Sequence, residues 1–141
     1  KYSWKNVYPA LLEAQKVNEI NSFDGIFMQY SNPLTGGHVM QTMGAAMQLL
    51  PAGFKGKAHK HTGSFVYQCA KGKGYSIING QRFDWKERDI FCVPSWAWHE
   101  HHNLSETEDA CLFSFNDLPV MEALGLYQDR EYTENDGHQI I

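Results

Sequence analysis

The chain has 141 residues and a formal net charge of −4, with a sequence pI near 5.9. This length suits one domain, and the acidic balance argues against nucleic acid or an anionic membrane as a partner. The sequence also lacks an apolar run of membrane-spanning length and a leader-like N-terminus, so we expect a cytoplasmic protein.

The first 22 residues predict a helical segment, with a helix over 7–17 that packs outside the main body. Residues 23–117 then predict many short strands with no long helix between them, at 26–30, 43–50, 57–61, 64–70, 75–78, 81–85, 90–93 and 110–115. Asn79-Gly80 is a strong hairpin signal. A helix at 118–124 and a polar tail, which we expect to be frayed or docked on a neighbour, complete residues 118–141. This order predicts an all-β antiparallel barrel or sandwich with short peripheral helices, spanning 1–141 as one domain.

The odd number of cysteines cannot form a closed set of disulfides. Cys69, Cys92 and Cys111 each lie in an apolar, strand-like run. We therefore expect three buried thiols in a reducing compartment.

Three histidines have the spacing of a metal site. Alternate residues of a strand share a face, so His59 and His61 point the same way and Lys60 points away. His99 follows after two or three short strands that could return the chain beside them. Three imidazoles suit Fe, Zn, Cu, Ni or Mn and leave coordination positions open. Without a carboxylate ligand the metal keeps its full charge, which favours a chelating anionic substrate such as an aromatic ring carrying adjacent carboxylate and hydroxyl groups.

Further candidate site residues surround these three. His101 shares the face of His99 and is a candidate proton-transfer group, with a solvent-exposed rim histidine as the alternative. The candidate substrate-binding residues are Gln48, Gln68, Arg82, Trp96 and Trp98. Each has an ordinary structural alternative, namely backbone hydrogen bonding for the glutamines, an exposed hairpin charge for Arg82 and barrel packing for the tryptophans. His38 and His138 are expected to be surface or satisfied core residues.

Two spaced patterns carry a family resemblance. Gly53 is followed after five residues by His59-x-His61, and Pro94 by His99 and Asn103. These patterns resemble the two cupin motifs, which implies a double-stranded β-helix of the jelly-roll kind. Phe65 and Val66 stand where many cupins have a glutamate, after three or four intervening residues, and Trp96 replaces the glycine of the second motif.

Over residues 23–127, approximately, the sequence resembles one particular group of cupins. Its segments are YSNPLTGG (30–37), MQLL (47–50), HKHTGS (59–64), VPSWAWHEH (93–101), LFSF (112–115) and ALGLY (123–127). They resemble gentisate 1,2-dioxygenases and the related salicylate and hydroxynaphthoate enzymes, and among these the C-terminal cupin half of bicupin proteins. A chain that starts at Lys1 instead of Met is consistent with such a half.

The resemblance implies Fe(II) held by His59, His61 and His99, with a small aromatic acid and O2 as substrates. The ring of gentisate or a close relative would open between the carbons bearing the carboxyl and hydroxyl groups, in an extradiol-type reaction. It also implies a homo-oligomer and a missing N-terminal cupin. Two other hypotheses stay open: a metal-carrying but non-catalytic cupin half with a structural or oligomerisation role, and a small-molecule-binding cupin without redox chemistry.

Overall fold

The computed structural model describes residues 1–141 and consists mainly of two five-stranded antiparallel sheets. One sheet has the order β1-β2-β9-β4-β7 and the other β10-β3-β8-β5-β6. The strands are β1 Ile26–Gln29, β2 Gly44–Leu50, β3 His59–His61, β4 Phe65–Lys71, β5 Lys73–Ile78, β6 Gln81–Lys86, β7 Ile90–Val93, β8 His99–Asn103, β9 Ala110–Asn116 and β10 Asp129–Glu131. The all-β prediction is confirmed, and all eight predicted strands are present.

The hairpin between β5 and β6 forms where the Asn-Gly pair predicted it. Asn79 and Gly80 both have positive φ, 47° and 77°, as a two-residue type I′ turn requires. The turn pairs Ile78 with Gln81 and sets the register of the two strands.

The main core lies between the sheets. It contains Leu50, Phe65, Tyr67, Cys69, Ile78, Trp85, Val93, Ala97, Ala110 and Leu112. A second cluster forms where α1 (Trp4–Val17) packs Val7 and Leu11 against Ile26 and Leu49. The helix therefore packs outside the barrel as predicted, but it begins three residues earlier, so Pro9 lies beyond its first turn. None of the helices is both long and apolar enough to cross a membrane.

Three sequence predictions differ from the structure. Cys69 and Cys111 are buried, but Cys92 is exposed because its alternate position on β7 points outward. β8 is absent from the predicted strand ranges because its residues are all polar, although the shared face of His99 and His101 had assumed an extended backbone there.

The polar tail is not frayed, because parts of it pack against the barrel of the same chain. Its residues Asp129–Glu131 pair with β3 as β10, and the following segment contacts β8 of the same chain. The strands of the barrel therefore extend beyond the predicted limit at residue 117. The second short helix, α2 (Leu118–Ala123), ends before Gly125, close to its predicted end.

A candidate metal centre

Two neighbouring strands bring the three predicted metal ligands together. β3 places His59 and His61 on one face, and its antiparallel pairing with β8 puts His59 directly opposite His99. One ring nitrogen of each histidine lies within 4.8 Å of the others, a separation that one metal ion can bridge. The structure thus groups the three residues that the spacing predicted.

Backbone contacts define which nitrogen each ring presents. His99 Nδ1 lies 2.9 Å from the Ala97 carbonyl oxygen, and His61 Nδ1 lies 3.2 Å from that of Thr62. A carbonyl only accepts, so Nδ1 carries the hydrogen and Nε2 keeps its lone pair. His99 Nε2 is buried without a hydrogen-bond partner, as expected for an atom that a metal would satisfy.

The electrostatic surroundings keep these rings neutral. Burial lowers the pKa of His59 to about 4, with Asp129 and Glu131 opposing the shift. Burial also lowers the pKa of His61 and places that of His99 well below its ordinary value, with neighbouring histidines adding to both effects. Neutral imidazole is the form that binds a metal, so the three residues fit a divalent transition metal.

A cavity of about 390 Å³ opens onto His59 and His61, with His99 buried behind them. Its aromatic walls are Phe23, Phe27, Phe65, Tyr67 and Tyr127. Phe23 stacks on the His59 ring at 5.1 Å between centroids, and Phe65 lies 4.9 Å from the ring of His61. The volume lies within the range of small-molecule sites.

Asp24 is a site residue that sequence reasoning missed. Its Oδ1 lies 3.7 Å from His59 Nε2 and accepts a hydrogen bond from Gln48 Nε2 at 3.0 Å. Although 29% of the side chain is accessible from the cavity, desolvation raises its pKa to about 6. Asp24-Gly25 had been interpreted only as a turn, and no local pattern signals that the turn lies beside the histidines.

β10 supplies the other missed carboxylates. Its register places Asp129 opposite His61 and Glu131 opposite His59, so both acidic side chains share the face of the two histidines. Arg130 is opposite Lys60, on the other face. The rim of the cavity is therefore acidic.

The candidate substrate-binding residues are not gathered at the cavity. Gln48 is buried and contacts it only through Asp24, while Gln68 is exposed on the outer side of β4. Arg82 lies on β6 at the edge of its sheet, where it forms a 2.8 Å ion pair with Asp84. Arg82 is therefore an exposed hairpin charge, which was the alternative to a substrate-binding role.

The two tryptophans lie on the far side of β3. Lys60 points away from the metal centre, as predicted, and its Nζ lies 4.5 Å from the Trp96 ring and 4.6 Å from that of Trp98. Trp96 has a φ of 65°, which explains why the cupin motif usually has glycine there, and its N–H donates to the His61 carbonyl. The turn thus supports β3 through its backbone while the rings stack on Lys60.

His101 lies within the barrel interior, so the rim alternative is wrong. It has no exposed surface, and its Nδ1 shares a 2.7 Å hydrogen bond with the hydroxyl of Ser76. The same hydroxyl oxygen accepts a hydrogen bond from Trp85 Nε1 at 3.0 Å. His101 is therefore held behind His99, outside the lining of the cavity.

The lowered histidine pKa values predict that the metal-free protein loses stability in acid. In the unfolded chain His59 and His101 take up protons below about pH 6.5. In the folded chain the pKa of His59 is about 4 and that of His101 about 3, so both take up protons only at lower pH. The free energy of unfolding therefore falls as the pH drops through this window. Asp24 acts in the opposite sense between about pH 6 and 3.8 and offsets one histidine. We expect a net loss of at least roughly 2 kcal/mol from pH 7 to 5, measured by urea unfolding in a chelator, because the lowered pKa values of His61 and His99 add to the loss. The variant His59→Gln should make the profile less steep, and a wild-type profile without slope would contradict the assignment.

Fold and site together define a jelly-roll barrel with a three-histidine candidate metal centre beside an aromatic cavity. A protein-family model described as "Cupin domain" matches residues 46–116, and the chain belongs to the cupin family. This confirms the fold that the two motifs implied.

Three relatives within this family are similar to the chain over most of its length. The chain is 41% identical to a 5-aminosalicylate 1,2-dioxygenase from Comamonas sp., over 100% of this chain and 37% of that protein. It is 34% identical to a 1-hydroxy-2-naphthoate 1,2-dioxygenase from Nocardioides sp. (strain KP7), over 93% and 34%. A solved structure of a salicylate 1,2-dioxygenase from Pseudoaminobacter salicylatoxidans with gentisate superposes with a TM-score of 0.83 at 31% identity, over 92% of this chain and 36% of that one. The chain thus spans little more than a third of the length of these relatives.

Proposed function

We propose that this chain carries the metal centre of a non-haem Fe(II) dioxygenase that cleaves the ring of a hydroxylated aromatic carboxylate, gentisate or a close relative. The observation that carries the proposal is the set of three neutral histidines beside the aromatic cavity. The similarity to three enzymes named as 1,2-dioxygenases of such acids supports the substrate class.

His59, His61 and His99 would hold the iron through Nε2. Bound Fe(II) would let an aromatic substrate and O2 exchange electrons in one coordination sphere. In the overall reaction one O2 is consumed and both oxygen atoms enter the ring-opened product, which for gentisate is maleylpyruvate.

The chain's own residues would orient the substrate and exclude water. Phe23 stacks on the ring of His59, and Phe65 packs against the ring of His61 in a tilted contact. With Tyr127 these two rings form walls suited to an aromatic substrate. Asp24, which Gln48 holds in place, is the carboxylate positioned to accept the proton of the substrate hydroxyl at Oδ1. His101 would act indirectly, by packing behind His99.

One observation favours a second function, a metal-carrying cupin half with a structural or oligomerisation role. Asp24, Asp129 and Glu131 place three carboxylates around the cavity, and the one basic lining residue, Arg130, belongs to the opposite face of β10. This rim repels an anionic substrate, and the positive charge of a bound metal would have to offset that repulsion.

Oxygen uptake after anaerobic reconstitution with Fe(II) separates the two functions. The substrates are gentisate, salicylate, 5-aminosalicylate and 1-hydroxy-2-naphthoate, and ring-opened product is followed by ultraviolet absorbance. We expect equal amounts of O2 consumed and product formed with at least one of them. Arg82→Ala should leave the rate unchanged because its side chain is exposed on β6. Iron bound at one per chain without oxygen uptake would contradict the enzyme and support the structural role.

A further inference from the structure

The outer face of β8 carries a second group of metal-ligand side chains. Because side chains alternate along the strand, Glu100 and His102 point away from the barrel interior, where His99 and His101 lie. All five residues of β8 are nevertheless buried, since the C-terminal segment covers this outer face. That segment adds His138, so that Glu100, His102 and His138 each bring one ligand atom within 4.8 Å of the others.

The C-terminal segment is fixed to the barrel on both sides of His138. The N–H of Ala58 donates to the Gly137 carbonyl at 2.7 Å, and Gln139 Nε2 donates to that of Ile77 at 2.9 Å. Gln139 also accepts from the N–H of Gly80. Hydrogen bonds of the two residues flanking His138 thus fix its position over β8 without involving its ring.

The ring of His102 is unsatisfied. His102 is 5% exposed, and neither of its ring nitrogens has a hydrogen-bond partner, although one of them must carry a hydrogen. Its Nε2 points to Glu100 and lies 3.7 Å from Oε1, too far for a hydrogen bond. Tyr75 stacks on the ring at 4.5 Å and holds it in this orientation.

The carboxylate of Glu100 lacks a cation of matching strength. Its side chain has no exposed surface, and no lysine or arginine pairs with it. It accepts from the N–H of Gln139 at 3.3 Å and contacts His138 Nδ1 at 3.2 Å. Because a buried carboxylate is costly unless it is paired or bound to a metal, this site calls for positive charge.

We propose that Glu100, His102 and His138 form a second metal site, separate from the three-histidine centre, which binds a divalent transition metal such as Zn²⁺. Two imidazoles and one carboxylate are a common ligand set for zinc. Such an ion would satisfy His102, neutralise Glu100 and fasten the C-terminal segment to β8. The site lies on the opposite face of the strand from His99, so the two sites can be occupied independently.

Zinc stoichiometry tests this site without any measurement of activity. Metal-free protein without a polyhistidine tag is equilibrated with Zn²⁺, desalted and analysed for zinc and protein content. We expect two zinc ions per chain in the wild type, one in His99→Ala, one in His138→Gln and none in the double variant. His138 is half-buried, so the glutamine variant should fold. The control His38→Gln replaces a histidine that pairs with Glu122 elsewhere and should retain two ions.

Protection from proteolysis provides the second measurement. In the His99→Ala background, Zn²⁺ should slow cleavage within residues 132–141 at least about tenfold, and this protection should disappear in the double variant. One zinc per wild-type chain that His99→Ala removes completely would overturn the proposal. Two zinc ions retained in His138→Gln would overturn it as well.

Discussion

Replacing His99 by alanine should abolish Fe(II) binding at the three-histidine centre and, with it, any ring cleavage. His99 is the ligand from the second motif, it is almost completely buried, and its Nε2 has no partner within the protein. Loss of groups that merely support a metal ligand costs about 10–100-fold in affinity or activity, so loss of a ligand should cost more than 100-fold. Iron content after desalting and the rate of oxygen uptake measure the two effects.

A folding defect in His99→Ala must be separated from a loss of metal. His59→Gln serves this purpose because the side chain of His59 keeps 17% of its surface and the replacement is nearly isosteric. Both variants should lose iron while their circular dichroism spectra match that of the wild type. His38→Ala should retain both iron and activity. Iron retained at wild-type affinity in His59→Gln would show that these histidines do not form the site.

Replacing Gly74 by alanine should unfold the barrel or strongly destabilise it. Gly74 lies on β5 between β6 and β8, and an added Cβ would be 2.0 Å from the carbonyl oxygen of His102 and 2.4 Å from the ring of Trp85. Overpacking a core costs about 1–3 kcal/mol, and a clash with backbone should exceed that because the strand must move. We expect a melting temperature at least about 10 °C lower, measured by differential scanning calorimetry.

Gly37→Ala is the matched control for this substitution. An added Cβ at Gly37 would meet only the hydroxyl of Thr35, at an ordinary contact distance of 3.5 Å. Its melting temperature should remain within a few degrees of the wild type. A loss of less than about 1 kcal/mol in Gly74→Ala would contradict the close approach of β5 and β8.

The grouping of His59, His61 and His99 could be predicted from the sequence because its signal is local. Strand alternation places His59 and His61 on one face, and the hairpin at Asn79-Gly80 makes the return of His99 short and antiparallel. Turn chemistry and period-two patterning are properties of neighbouring residues, so they can be read without the fold. The eight strands were predicted from the same kinds of local pattern.

The surroundings of the centre could not be predicted because they come from distant parts of the chain. Asp24 reaches His59 from a turn 35 residues earlier in the chain, and Asp129 and Glu131 reach it from a polar tail with no strand pattern. Arg82 and the tryptophans were chosen for their chemical type and their nearness in sequence. Their side chains have suitable chemistry, but Arg82 points outward from β6. The tryptophans lie at the turn before β8, on the side of β3 that faces away from the cavity.

The pairing of β10 with β3 bears on how a minimal domain should be defined. The family match ends at residue 116, and a fragment cut there would contain every histidine of the predicted centre. It would nonetheless lose β10, leaving β3 as an unprotected edge strand of three residues with both His59 and His61 on it. Truncation at residue 116 would therefore keep the three histidines and discard the strand that shields them.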